Sequence, residues 1–274
     1  MRTLTIAALV LLGLAAEVSA QTIPARPAGA PTGRQFLART ASLSRADREA
    51  AILRELSQGN VPLFERRFVE VAWVTTDAAL RPHEVRIRVA PDYLAIGADA
   101  DFVRMPMNPL TAQRLCDLFH CTLPTRRMVN RIYPAADVKL APVPLTPGPQ
   151  MMSNAYILTH EQRIETEWGT RPLGLLTGGD KKDVVISNLL LSHPGRVAIY
   201  GWHLLSGQPI QPLSTVHENL YADYSHGIRL VAETVLIDGR PRLVVDVLQD
   251  RVLASLLSDE GPMPSPRVPG VPHP

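Results

Sequence analysis

Residues 230–248 read LVAETVLIDGRPRLVVDVL. Two apolar, β-branched runs flank Asp238-Gly239, and Asp-Gly in that setting signals a two-residue hairpin turn, because both central positions need positive φ. Such a hairpin calls for an antiparallel sheet near the C-terminal end. The following VLQDRVLASLLSD (residues 247–259) has the spacing of an amphipathic helix that closes the unit.

Upstream of the hairpin, LGLL (173–176), DVVIS (183–187) and RVAIYGW (196–202) are short apolar runs of the length of buried strands. The N-terminal half mixes helix and strand patterns. SLSRADREAAILRELSQGN (42–60) predicts a helix capped by Ser44, striped by Ala50, Ile52, Leu53 and Leu56, and ended at Gly59. RRFVEVAWVTT (66–76) alternates as a strand does, and VRIRVAPDYLAIG (85–97) supplies two more strand pieces around Pro91. NPLTAQRLCDLFHC (108–121) opens with Asn108 as cap and Pro109 at the first helical position. LPTRRMVNRIYPAA (123–136) and SNAYILTHEQRIETEWG (153–169) complete the helices. Helices mixed with short, turn-linked strands predict an α+β fold: N-terminal helices and strands packed with a C-terminal, mostly antiparallel sheet in a single globular unit over residues 35–260. A Pro-rich stretch near 142–150 is the place where that unit could subdivide.

The two ends read differently. Residues 1–20 carry Arg2, an apolar run too short to span a bilayer comfortably, and Val18-Ser19-Ala20, the small-residue pattern at which a signal peptidase cuts. The expectation is a secreted or periplasmic protein, with no membrane span once the signal is cleaved. Residues 21–34 are rich in Pro, Ala and Gly and read as a flexible leader, and residues 261–274 as a Pro-rich disordered tail. A net charge of +2, with 28 basic and 26 acidic residues interleaved, argues against a nucleic-acid partner. Cys116 and Cys121, the two cysteines, could form a local disulfide in an oxidising compartment if the helix ends between them.

Polar side chains concentrate in GGDKKDVV (178–185), IYGWHLLSGQPIQPLSTVH (199–217) and YADYSHGIRL (221–230). His203, His217 and His226 fall beside strand ends or turns, and with Asp223 they could supply the ligands of a Zn²⁺ that activates water. Without metal, His226 is the general base and Asp223 its orienting carboxylate. Ser225 is the weaker nucleophile, since its neighbour His226 points to the opposite face of an extended chain and no G-x-S-x-G elbow is present. Arg229, Lys182, Trp202, Tyr224 and Gln211 are the substrate-binding candidates. The Asp180–Asp183 run reads first as a solvated turn, with Lys182 free to neutralise an anion. His83, His120, His160 and His193 receive structural or surface roles.

Two functions fit this pattern. One is a secreted or periplasmic hydrolase acting on a cell-wall or extracellular polymer, polysaccharide included, through a His-rich site. The other is a non-catalytic envelope binding protein that uses Trp202, Tyr221 and Tyr224 as an aromatic platform.

Overall fold

In the computed structural model, residues 22–272 are described. The expected signal segment and His273 lie outside them. The Asp-Gly hairpin forms as the sequence requires: Ile237 pairs with Arg240 across Asp238 and Gly239, whose φ values are 51° and 74°. Its first strand, Val231–Ile237, also pairs antiparallel with Pro82–Val89, which pairs in turn with Val69–Thr76. Cys121–Thr122 adds a fifth strand on Val231–Ile237. The fold is α+β, and the C-terminal hairpin lies in the same sheet as the N-terminal strands. That shared sheet ties the two halves together across the 142–150 stretch.

A second sheet positions the polar residues. Its strand order is Pro209–Ser214, Ile199–His203, Lys182–Val184, His226–Gly227. The last pair runs parallel, with His226 beside Lys182 and Gly227 beside Asp183. One large core cluster joins both sheets, from Ile52 and Phe119 through Val85, Ile87 and Val235 to Ile199 and Leu256.

The capped helices appear as Arg45–Ser57, Pro109–Leu118, Arg126–Ala135 and Asn154–Trp168. The Ser44, Asn108, Thr125 and Ser153 side chains each accept an N–H at the open first turn. In the first of these helices Ala51 is buried and Ala50 is not. The closing helix is broken into Val244–Gln249 and Ala254–Leu257. Asp250 breaks it: its Oδ1 accepts the N–H groups of Val252 (2.7 Å) and Leu253 (2.8 Å), a local side-chain alternative to helical hydrogen bonding.

Three expectations require correction. Cys116 and Cys121 are free, buried thiols; Cys121 leaves its helix to pair with Ala232 in the sheet, and its Sγ–H points at the Phe119 carbonyl. The leader is held: Arg26 Nε donates to Asn60 Oδ1 and to the Gly97 carbonyl, both at 2.9 Å, and a helix opens at Gly33 behind a Thr32/Gln35 capping box. The tail through residue 272 packs as well, burying Met263, Val268 and Val271, with the Val268 N–H donating to Gln113. Proline prevents regular structure but does not prevent apolar side chains from finding the core.

Candidate functional site

Lys182 and Asp183 are neighbours in an extended strand and project to opposite faces of the second sheet. They divide the polar residues into two groups. The run from Asp180 to Asp183 is therefore not a solvated turn. Asp180, Lys181 and Asp183 are buried and Lys182 is half-buried.

The first group surrounds His226. Lys182 N–H donates to the Ser225 carbonyl at 2.7 Å, which sets the register that brings His226 alongside. Asp223 organises the turn: its Oδ1 accepts Ser225 N–H (2.8 Å) and Ser225 Oγ–H (2.6 Å), and its Oδ2 accepts the Tyr221 hydroxyl (2.9 Å). Ser225 is thus committed to Asp223 rather than to a histidine. Lys181, fully buried, donates through Nζ to the Tyr224 carbonyl (2.7 Å) and to His160 Nδ1 (3.2 Å), tying the turn down from beneath. Gly227 is required by close approach: a Cβ there would lie 2.5 Å from the Tyr93 ring and 2.7 Å from Lys181 Cβ.

The His226 ring is fully buried, and neither of its nitrogens has a hydrogen-bond partner among the described residues. His217 stacks on Tyr221 (centroids 4.3 Å apart), and this half-exposed pair covers His226, with ring centroids at 6.4 and 5.7 Å from it. Burial lowers the His226 pKa to about 4, against the pull of Asp223. Burial pushes the Asp223 carboxyl up, but His226, Ser225 and Lys182 outweigh it and hold the group below the ordinary carboxylate range. Burial likewise lowers Lys182, whose ammonium lies 5.0 Å from the Trp202 ring centroid. At neutral pH the site holds an uncharged imidazole next to an ionised carboxylate. Such an imidazole can take a proton, and the carboxylate stabilises the imidazolium that results.

His203 belongs to the second group and does not converge with the other two histidines. It stacks on Tyr133 at 4.5 Å and lies toward Asp183. Gly201 and Trp202 both take positive φ (101° and 54°), which breaks the strand's alternation and turns His203 back over residue 201. Among the described residues no group of three or more His, Cys, Asp or Glu is arranged to hold a metal ion.

The other binding candidates fall in different places. Arg229 is buried against the Tyr93 ring (4.2 Å) and donates to the Ala90 (3.0 Å) and Thr177 (2.6 Å) carbonyls, a core role. Tyr224 is buried, with its hydroxyl donating to the Leu145 carbonyl (3.4 Å) and accepting the Leu145 N–H (2.8 Å). Trp202 is buried and donates to the Asp180 carbonyl. Gln211 sits opposite Gly201 on the edge strand, with its amide turned to the Pro212 carbonyl. Neither Trp202 nor Tyr224 offers a stacking face to solvent.

Sequence reading missed the buried ionic layer under both groups. Arg104 makes a bidentate pair with Asp92 (3.0 and 2.7 Å), a short contact with Glu161, and lies 3.4 Å from Asp180. His160, assigned a surface or structural role, is fully buried beside Lys181. The available signal was four charged residues immediately before the apolar VVI of a strand.

Compared with protein-family models, curated proteins and solved structures, the chain has no match. No helix among the described residues is long and apolar enough to cross a membrane.

Proposed function

We propose that the protein is an exported hydrolase of a cell-wall or extracellular polymer, with His226 as its general base. The observation that carries this reading is the buried, uncharged His226 ring, whose two nitrogens lack partners among the described residues while Asp223, Ser225 and Tyr221 beside it bond to one another. Leaving a buried polar group unpaired costs about 1–3 kcal/mol, and such a cost is commonly retained where the group has work to do. In this reading His226 takes a proton from an attacking water, Asp223 stabilises the imidazolium by its charge, and Lys182 offsets the negative charge that develops on the substrate oxygen. Tyr221 and His217 form a cover that must swing aside for substrate to enter. Export is proposed from residues 1–20, and the polymer class from the export.

The test is hydrolysis of peptidoglycan and of polysaccharides by the mature protein, with His226→Gln beside it. The expected loss is about 10²–10⁴-fold in kcat, the usual contribution of a general base, with the circular dichroism spectrum and Tm retained. A folded His226→Gln protein with full activity would refute the assignment. Because His226 is uncharged above about pH 4, the acid limb of kcat/KM should lie near 4 rather than near 6.5.

A further inference from the structure

The opposite face of the Lys182–Val184 strand carries a second group of titratable residues that the proposed reaction does not use. A groove of about 360 Å³ opens there between the Arg126–Ala135 helix and the 205–207 turn, lined by Asn130, Tyr133, Pro134, Lys139, His203 and Ser206 among others. Tyr133 and His203 also line a small void of about 10 Å³ beneath it, which Asp183, Arg229 and Tyr93 border from the core side. Tyr133 and His203 thus form the wall shared by groove and void, and Asp183 borders the void behind His203 rather than the groove itself.

His203 and Asp183 face each other across Gly201. A Cβ on residue 201 would lie 3.2 Å from Asp183 Oδ2 and 3.3 and 3.4 Å from His203 Cε1 and Nδ1, so any side chain there would fill the space between them. Tyr93 donates its hydroxyl to Asp183 Oδ2 at 3.0 Å. The His203 ring is buried to within 3% and makes no hydrogen bond to another described residue. Lys139 is exposed at the groove mouth, 5.9 Å from the Tyr133 ring centroid, with its ammonium donating to the Ala136 carbonyl at 2.9 Å, and among the described residues no carboxylate lines the outer groove.

We propose that this groove is a second ligand site, separate from the His226 centre, that takes a small aliphatic carboxylate. Lys139 meets the ligand's negative charge at the mouth, His203 offers a ring nitrogen toward the floor, and Pro134, Tyr133 and Leu205 line the aliphatic part. Asp183, behind His203 and outside the groove lining, sets the pH range by its charge. Tyr93, Tyr200, His203 and Arg229 face it from the surrounding elements and Asp180 from its own. Burial raises the Asp183 pKa to about 7, against Arg229 and Tyr93. Below that value Asp183 is an uncharged acid that tolerates an anion; above it, its charge repels one.

The test uses mature protein ¹⁵N-labelled at histidine, with the His203 ring signal assigned by its loss in His203→Gln. Sodium butyrate is titrated at constant ionic strength, and butyramide serves as the uncharged control. The expected result is a saturable shift of the His203 signal with butyrate and none with butyramide. Raising the pH from about 6 to about 8 should weaken binding about tenfold, following the fraction of uncharged Asp183. Lys139→Met, at an exposed position, should weaken it about fivefold, the upper end of what an exposed ion pair contributes. His226→Gln should bind butyrate as the wild type does, so this proposal and the hydrolase reading stand or fall separately. No saturable shift, an equal response to butyramide, or unchanged affinity in Lys139→Met would overturn it.

Discussion

At the scale of single residues, buried charge dominates this protein. Arg104 holds Asp92, Glu161 and Asp180 together with almost no exposure to water. Removing it would leave three carboxyl groups buried without their cation, so Arg104→Met should destabilise by about 3–5 kcal/mol in urea unfolding. Asp183 has a different signature. Its folded pKa lies near 7 and above the unfolded value, so the folded state binds more protons over the interval from about 4 to 7. The contribution of Asp183 to stability is therefore largest at low pH and is lost as pH rises through 7. His226 and His203, both lowered to about 4 by burial, act in the opposite direction below pH 6.5, and wild-type curves sum these with other shifted groups such as Asp180. The difference between wild type and Asp183→Asn isolates the carboxyl: the variant should gain on the wild type as pH rises from 4 to 8. A difference that stays flat over that range would show that Asp183 titrates normally. GGDKKDVV shows an unusual run of charge before an apolar strand but not which of the charges is buried, because four charged residues in a row look alike until their neighbours are known.

At the scale of elements, local rules were followed closely and their exceptions have local causes. Ser44, Asn108, Thr125 and Ser153 each cap the helix that follows them, since a short polar side chain satisfies the open N–H groups. The Asp238-Gly239 hairpin forms for the same kind of reason, its turn needing φ values those two residues tolerate. Asp250 interrupts the final helix through bonds visible only once its side chain is placed. The Lys182–Val184 and His226–Gly227 pairing was not legible, being parallel and formed between segments more than forty residues apart. It depends on Gly227, because a Cβ would run into Tyr93 and Lys181. Gly227→Ala should cost about 1–3 kcal/mol, as overpacking does, and should disturb the His226 ring signal in NMR. Unchanged Tm and an unchanged ring signal would mean that the strand can move away at no cost.

At the scale of the whole molecule, the first and last described segments bind its middle. Met263, Val268 and Val271 are buried, and Arg267 pairs with Asp117 at 2.9 Å. Ending the chain after Gly261 should therefore lower stability by several kcal/mol, at about 1.5–3 kcal/mol for each buried apolar side chain removed, and calorimetry would show this as a fall in Tm. A truncated protein that melts with the full chain would show that the tail contributes only coverage. By itself the sequence determined the α+β class, the capped helices and the hairpin, because these rest on contacts within a few residues and on the spacing of apolar side chains. It also marked residues 178–229 as the polar district. Only the tertiary structure decided that His217 and His226 meet while His203 turns to Asp183, and that Arg229 belongs to the core. Those outcomes depend on sheet register and on burial, which are set by residues far apart in the chain.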